Sequence, residues 1–118
     1  MILEYDERGK ATIVTFNTDK IDYANSLDMS EMLEAYVETG HVKLVFDLLD
    51  INFIASSGIL LFLNLKKKLD NFGGKLALCN LRENVKQTLL NTFNVPELIN
   101  SFKMFRDIDK ALKYVNEE

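Results

Sequence analysis

The chain has 118 residues, 47% hydrophobic and 27% charged, which gives room for one compact domain with its own core and argues against disorder. A formal net charge of −4 and a pI near 5.0 exclude broad binding to nucleic-acid phosphates. The longest clean apolar run, Ile59 to Leu63, falls far short of the roughly 20 residues of a membrane span, so no membrane insertion is expected.

Met1 to Glu7 lack the basic and apolar regions of a signal peptide. Residues 2–7 and 11–17 read as two short strands, with Arg8-Gly9-Lys10 as their hairpin turn. Ala11 to Phe16 is rich in β-branched and aromatic residues, which suits a half-buried pleated surface. A polar loop, Asn17 to Asp22, leads to a helix over about 26–39, capped by Asn25 or Ser26 and ended by Gly40. Met29, Met32, Leu33, Tyr36 and Val37 recur on it at helical spacing, as one buried stripe does.

Residues 42–48 form a nearly continuous apolar run, the mark of a strand covered on both faces. A helix over about 57–71 places Leu61, Leu65 and Leu69 on one stripe, with Phe62 and Phe72 nearby, and stops at Gly73-Gly74. Its opposite face carries Asn64, Lys67, Lys68 and Asn71. Lys66-Lys67-Lys68 reads as solvated charge.

Lys75 to Asn80 is the next strand. Asn80 and Glu83 have capping-box spacing before a helix over 82–93, which buries Val85, Leu89, Leu90 and Phe93 and cannot pass Pro96. An extended piece falls around Leu98 to Phe102. A last helix from about Asp107 aligns Ile108, Ala111, Leu112 and Val115. The order β-β-α-β-α-β-α-β-α makes one α/β domain over 1–118, with a mixed, mainly parallel sheet and right-handed crossovers.

Candidate chemistry is sparse. His41, the only histidine, has no Cys or His partner for a metal site. Cys79, the only cysteine, cannot close an internal disulfide; it fits a reducing compartment and reads as a buried, inert thiol. The protein is therefore placed in the cytoplasm. Gly73-Gly74 follows a helix, whereas a phosphate-binding loop follows a strand and opens a helix. The acidic pairs Asp47/Asp50 and Asp107/Asp109 read as caps and surface charge. No catalytic centre, metal or cofactor is implied.

The turn Asn52-Phe53-Ile54-Ala55-Ser56-Ser57-Gly58 stands apart, because it places two serines where a strand gives way to a helix. On residue physics alone, the first role for either serine is to cap that helix. The same small residues also keep the surface low enough for another protein's backbone to approach. Phe53 and Ile54, read as exposed, would supply apolar contact.

The Asp47-Leu48 strand end, the Phe-Ile-x-Ser-Ser-Gly turn with its leucine-rich helix, and the strand Gly-Gly-Lys-Leu-x-Leu-Cys-Asn together resemble the STAS domain. More narrowly, they are similar to the single-domain anti-sigma factor antagonists of bacteria. The resemblance covers nearly the whole chain. It implies a STAS-like fold and a binding module that is not an enzyme. The partner it implies is an anti-sigma factor serine kinase, bound so that a sigma factor is released.

The family's turn usually reads Asp-Ser-Ser/Thr-Gly, with the serine after the aspartate phosphorylated by the kinase and reset by a phosphatase. Carried over, the phosphosite is Ser56, with Ser57 second; Ala55 stands where the aspartate would be. Partner contacts are expected from Asp22, Tyr23 and Asn25 before the first helix. The turn would add Phe53, Ile54, Ala55, Ser56, Ser57 and Gly58. Free-standing STAS proteins also resemble subunits that bind and stabilise an ABC-type lipid-transport ATPase, which is the alternative partner.

Overall fold

The computed structural model describes residues 1–92 and 102–117. Its elements run β1 (Leu3–Arg8), β2 (Ala11–Phe16), β3 (Lys20–Ile21), α1 (Ser26–Glu38), β4 (Lys43–Asp47), β5 (Phe53–Ile54) and α2 (Ser56–Asn71). They continue with β6 (Lys75–Cys79), α3 (Glu83–Thr92), β7 (Lys103–Phe105) and a last described helix, here α4 (Ile108–Asn116).

The five-stranded sheet has the order β1-β2-β4-β6-β7. Only β1 runs antiparallel to its neighbour; β2, β4, β6 and β7 are mutually parallel. The expected α/β architecture is therefore observed. Each parallel step crosses over through a helix, as parallel pairing demands.

Alternation along the strands divides the core in two. Val14, Phe16, Leu44, Phe46, Leu76 and Leu78 point to one face, where they meet Met29, Leu33 and Val37 of α1. Leu61, Phe62, Leu65 and Leu69 of α2 and Val85 and Leu89 of α3 complete that side. On the other face Ala11, Ile13, Val45, Ala77 and Cys79 pack against Ala111 and Val115 of α4. Covering both faces is why β4 and β6 read as unbroken apolar runs.

α2 ends as its glycines foretell. Gly73 has φ +70°, its N–H reaches the Asp70 carbonyl at 3.2 Å, and the Gly74 N–H reaches that of Leu69 at 2.7 Å. This pair of reverse bonds is the Schellman arrangement, which needs a left-handed residue just past the helix.

Several local expectations are corrected. The capping box does not form: Asn80 adopts φ +58° and its side-chain amide donates to Asp47 Oδ1 at 3.0 Å, away from α3. Phe72 is exposed, because it is the residue at which α2 ends. Met32, Tyr36 and Leu90 are half-buried at the margins of their stripes. The last strand begins at Lys103, later than the extended piece read around 98–102. Phe93, Pro96 and residues 98–101 lie outside the described residues, whereas Phe102 is buried.

His41 has a structural setting. Its ring stacks on Tyr36 with centroids 4.0 Å apart, its Nε2 lies 2.9 Å from Glu7 and its Nδ1 lies 2.8 Å from the Thr39 hydroxyl. Within the lysine run, Lys66 pairs with Asp70 and Lys68 with Glu38, so only Lys67 points free into solvent. Burial pushes the Cys79 thiol up from 9.0 to about 12, with Asp47 and Asp107 adding to the shift.

Candidate protein-docking site

Residues 17–22, read as a polar loop, contain a strand. β3 and β5 pair in parallel as a separate two-stranded sheet, Lys20 opposite Phe53 and Ile21 opposite Ile54. The Asn52 N–H donates to the Asp19 carbonyl at 2.6 Å and the Ala55 N–H to that of Ile21 at 2.8 Å. This ladder sets the loop before α1 beside the first turn of α2. Two-residue strands are too short to show a period in sequence, so nothing in the residue pattern announced them.

Asp22 and Asn25 build the loop from within. Asp22 Oδ1 accepts the Ala24 N–H at 3.0 Å, Asn25 Oδ1 accepts the Asp22 N–H at 3.0 Å, and Asn25 Nδ2 donates to the Lys20 carbonyl at 2.9 Å. Asn25 is the N-cap residue of α1, but its side chain makes no capping bond because it is committed to this loop. Tyr23 is left at the tip, 91% exposed.

The N-cap of α2 is Ala55, with extended backbone and no side-chain capping bond. Neither serine caps the helix, which corrects the capping expectation; both lie inside its first turn. They differ sharply. Ser56 is exposed, whereas Ser57 Oγ is buried without a hydrogen-bond partner among the described residues.

Gly58 is buried for a reason of space. A Cβ there would come within 2.6 Å of Ile21 Cγ2 and 2.8 Å of Ile54 Cγ1, so the helix can rest on the β3/β5 sheet only with glycine at this position. Ile54 is 3% exposed, and the expectation that it offers an apolar surface fails: its side chain is the floor under Gly58. Phe53, one residue earlier and pointing the other way along the strand, is 55% exposed.

Between α1 and α2 runs an open groove of about 360 Å³. Tyr23, Ser26, Leu27 and Ser30 line one side; Ser56, Ser57, Leu60, Leu61 and Asn64 line the other. None of these residues is charged, in a chain that is 27% charged. Leu27 and Leu60 are 68% and 56% exposed. Sequence reasoning missed both, yet a signal was present. Leu27 lies off the Met29-Leu33-Val37 stripe, and Leu60 shares the polar face of α2 with Asn64 and Lys67. A lone exposed leucine is ordinary, but Leu27 and Leu60 line one groove together with Tyr23, and apolar surface gathered in one place is what distinguishes an interaction surface.

Among the described residues no group of three or more His, Cys, Asp or Glu could hold a metal ion, and no helix is long and apolar enough to cross a membrane.

Known proteins match this frame. BtrV, a candidate anti-sigma factor antagonist of Bordetella bronchiseptica, is 31% identical over 67 residues, 57% of this chain and 58% of BtrV, so less than two thirds of that relative's length is spanned. An anti-sigma factor antagonist from Mycobacterium paratuberculosis superposes with a TM-score of 0.81 at 19% identity, over 98% of this chain and 93% of its own. The anti-sigma factor antagonist SpoIIAA in its unphosphorylated form gives 0.73 at 13% identity, over 98% and 99%. The phosphorylated form, from Bacillus, gives 0.71. At these identities the structural likeness is one of fold, a STAS fold with a mixed, mainly parallel five-stranded sheet. The sequence profile of the STAS domain matches residues 3–111, and with that the chain belongs to the STAS domain family, whose anti-sigma factor antagonists are non-enzymatic.

Proposed function

We propose that this STAS domain is an anti-sigma factor antagonist that docks an anti-sigma factor serine kinase in the α1–α2 groove and releases a sigma factor. Phosphorylation of Ser56 by that kinase switches the complex off, and a phosphatase restores it. The observation that carries the reading is the placement of one exposed serine, Ser56, on the rim of an uncharged apolar groove.

The electrostatics give the switch its direction. Tyr23, Leu27 and Leu60 supply apolar surface, and burying a leucine side chain is worth about 1.5–3 kcal/mol. A phosphate on Ser56 adds a charge of about −1.5 to −2 to a lining that has none. On docking, that charge must be desolvated or left facing apolar atoms, which costs several kcal/mol per ion. The domain itself tolerates the phosphate, since it sits at the positive end of α2 beside amides that no side chain caps. The switch therefore acts on the interface and leaves the fold intact. Ser57 is the poorer acceptor, because its hydroxyl must leave a buried position to reach a kinase.

Incubation with the cognate anti-sigma factor and ATP tests this reading. One phosphate is expected, located at Ser56 by mass spectrometry and absent from Ser56→Ala. Labelling at another residue would overturn the site, and co-purification with an ABC-type ATPase in place of an anti-sigma factor would overturn the function.

A further inference from the structure

Between β4 and α2 the chain has only the short strand β5, and α2 begins with no side-chain cap. The first turn of an uncapped helix opens most readily, so the turn that carries Ser56 depends on what holds the chain just before it. β3 holds one side: the Asp19 carbonyl accepts the N–H groups of Asn52 and Phe53 at 2.6 and 3.3 Å.

The other side is held by side chains from the connection between β6 and α3. Asn80 Nδ2 donates to Asp47 Oδ1 at 3.0 Å, Arg82 Nε to the Leu49 carbonyl at 2.8 Å and Asn84 Nδ2 to the Asn52 carbonyl at 2.6 Å. Donors and acceptors advance in step along the two segments. Asn80 directs the chain into this course with φ +58°, a left-handed conformation that few residues besides glycine and asparagine adopt.

Asn84 meets the segment at the entrance to β5. The peptide unit joining Asn52 to Phe53 takes the Asn84 amide on its carbonyl and gives its N–H to Asp19 on the far side. With both ends bonded, the plane of this unit is fixed and each bond polarises the other. From there β5 runs through Ile54 to Ala55, the N-cap of α2. Asn84 itself stands in the first turn of α3, which Val85 and Leu89 anchor in the core, so the grip refers the turn to a packed helix.

We propose that Asn84, seconded by Arg82, is a positioning residue for phosphorylation of Ser56. The role rests on the proposed function, in which a kinase modifies that serine. Neither residue lines the groove, so they govern where Ser56 stands and not how tightly the partner docks.

Two readouts on the same variants test this, one of them independent of any kinase. In Asn84→Ala the Phe53 and Ala55 amides should exchange with deuterated solvent about fivefold faster than in wild type, with the Val45 and Ala77 amides unchanged. With the cognate anti-sigma factor and ATP, kcat for Ser56 should fall about fivefold while KM stays within about twofold. Asn84→Asp removes the donor but sets an acid in the first turn of α3, where the helix dipole favours it. It should lower kcat likewise with a urea midpoint no lower than wild type, which a merely structural role would not produce. Unchanged exchange at Phe53 and Ala55, wild-type kcat in both variants, or a change confined to KM would overturn the role. A wild-type chain that the kinase leaves unlabelled would instead overturn the proposed function, and the exchange rates would then decide alone whether Asn84 holds the turn.

Discussion

Ser56 and Ser57 are chemically identical neighbours, yet one helical turn gives them opposite environments, solvent for the first and a buried, unpartnered site for the second. The sequence named both and ranked them only through the family resemblance, because which way α2 faces is a tertiary fact. Ala55 belongs to the same scale. It occupies an N-cap position where Asp, Asn or Ser would bond the first amides of the helix, and it supplies no such bond. Ala55→Asp should therefore raise stability by about 0.5–2 kcal/mol, read as a higher urea midpoint with unchanged slope; no gain would contradict an uncapped helix start. Ser57→Ala removes a hydroxyl that pays desolvation without a partner and should be neutral or slightly stabilising in the same assay. A loss above about 1 kcal/mol would show that Ser57 Oγ has a partner.

α2 and the β3/β5 pair work as one unit, with Gly58 at the point of closest approach. Gly58→Ala forces a methyl into Ile21 and Ile54. It should cost about 1–3 kcal/mol by overpacking and weaken partner binding by displacing the first turn of α2. Stability and affinity that both stayed at wild-type values would contradict the packing described. At this scale the long elements were legible: α1, α2, β4 and β6 all declare themselves by period and by their glycine stops. The β3/β5 pair was not, because two residues carry no period, and the exposure of Ile54 was misjudged because that pair was unseen. Leu27 and Leu60 were not legible from periodicity, because helical spacing identifies the stripes that pack and says nothing of the apolar residues outside them. Leu27→Ala with Leu60→Ala should leave the urea midpoint within about 0.5 kcal/mol of wild type, while lowering partner affinity at least tenfold, as truncated interface anchors do.

The whole molecule is a sheet covered on both faces, and α4 closes the thinner side over Ala11, Ala77 and Cys79. That closure has a pH signature. The Cys79 thiol, pushed up to about 12 in the folded chain from 9.0, favours its neutral form there. Its contribution is complete below about pH 9 and is lost as the pH rises towards 12. Burial also raises Tyr5 and Tyr36, so all three groups act in the same direction. Urea midpoints should fall steadily from pH 9 to 11, and less steeply in Cys79→Ala; a flat profile would contradict burial of the thiol. On the opposite side of the sheet, the N-terminal halves of α1 and α2 line the uncharged groove, and Ser56 stands on its rim. The most direct measurement is the affinity of the cognate anti-sigma factor for three forms of this chain, by titration calorimetry. Unmodified protein and Ser56→Ala should bind alike, and protein phosphorylated at Ser56 should bind at least a hundredfold more weakly with an unchanged urea midpoint. Equal affinity of the phosphorylated and unmodified forms, or unfolding on phosphorylation, would contradict a switch that acts at the interface.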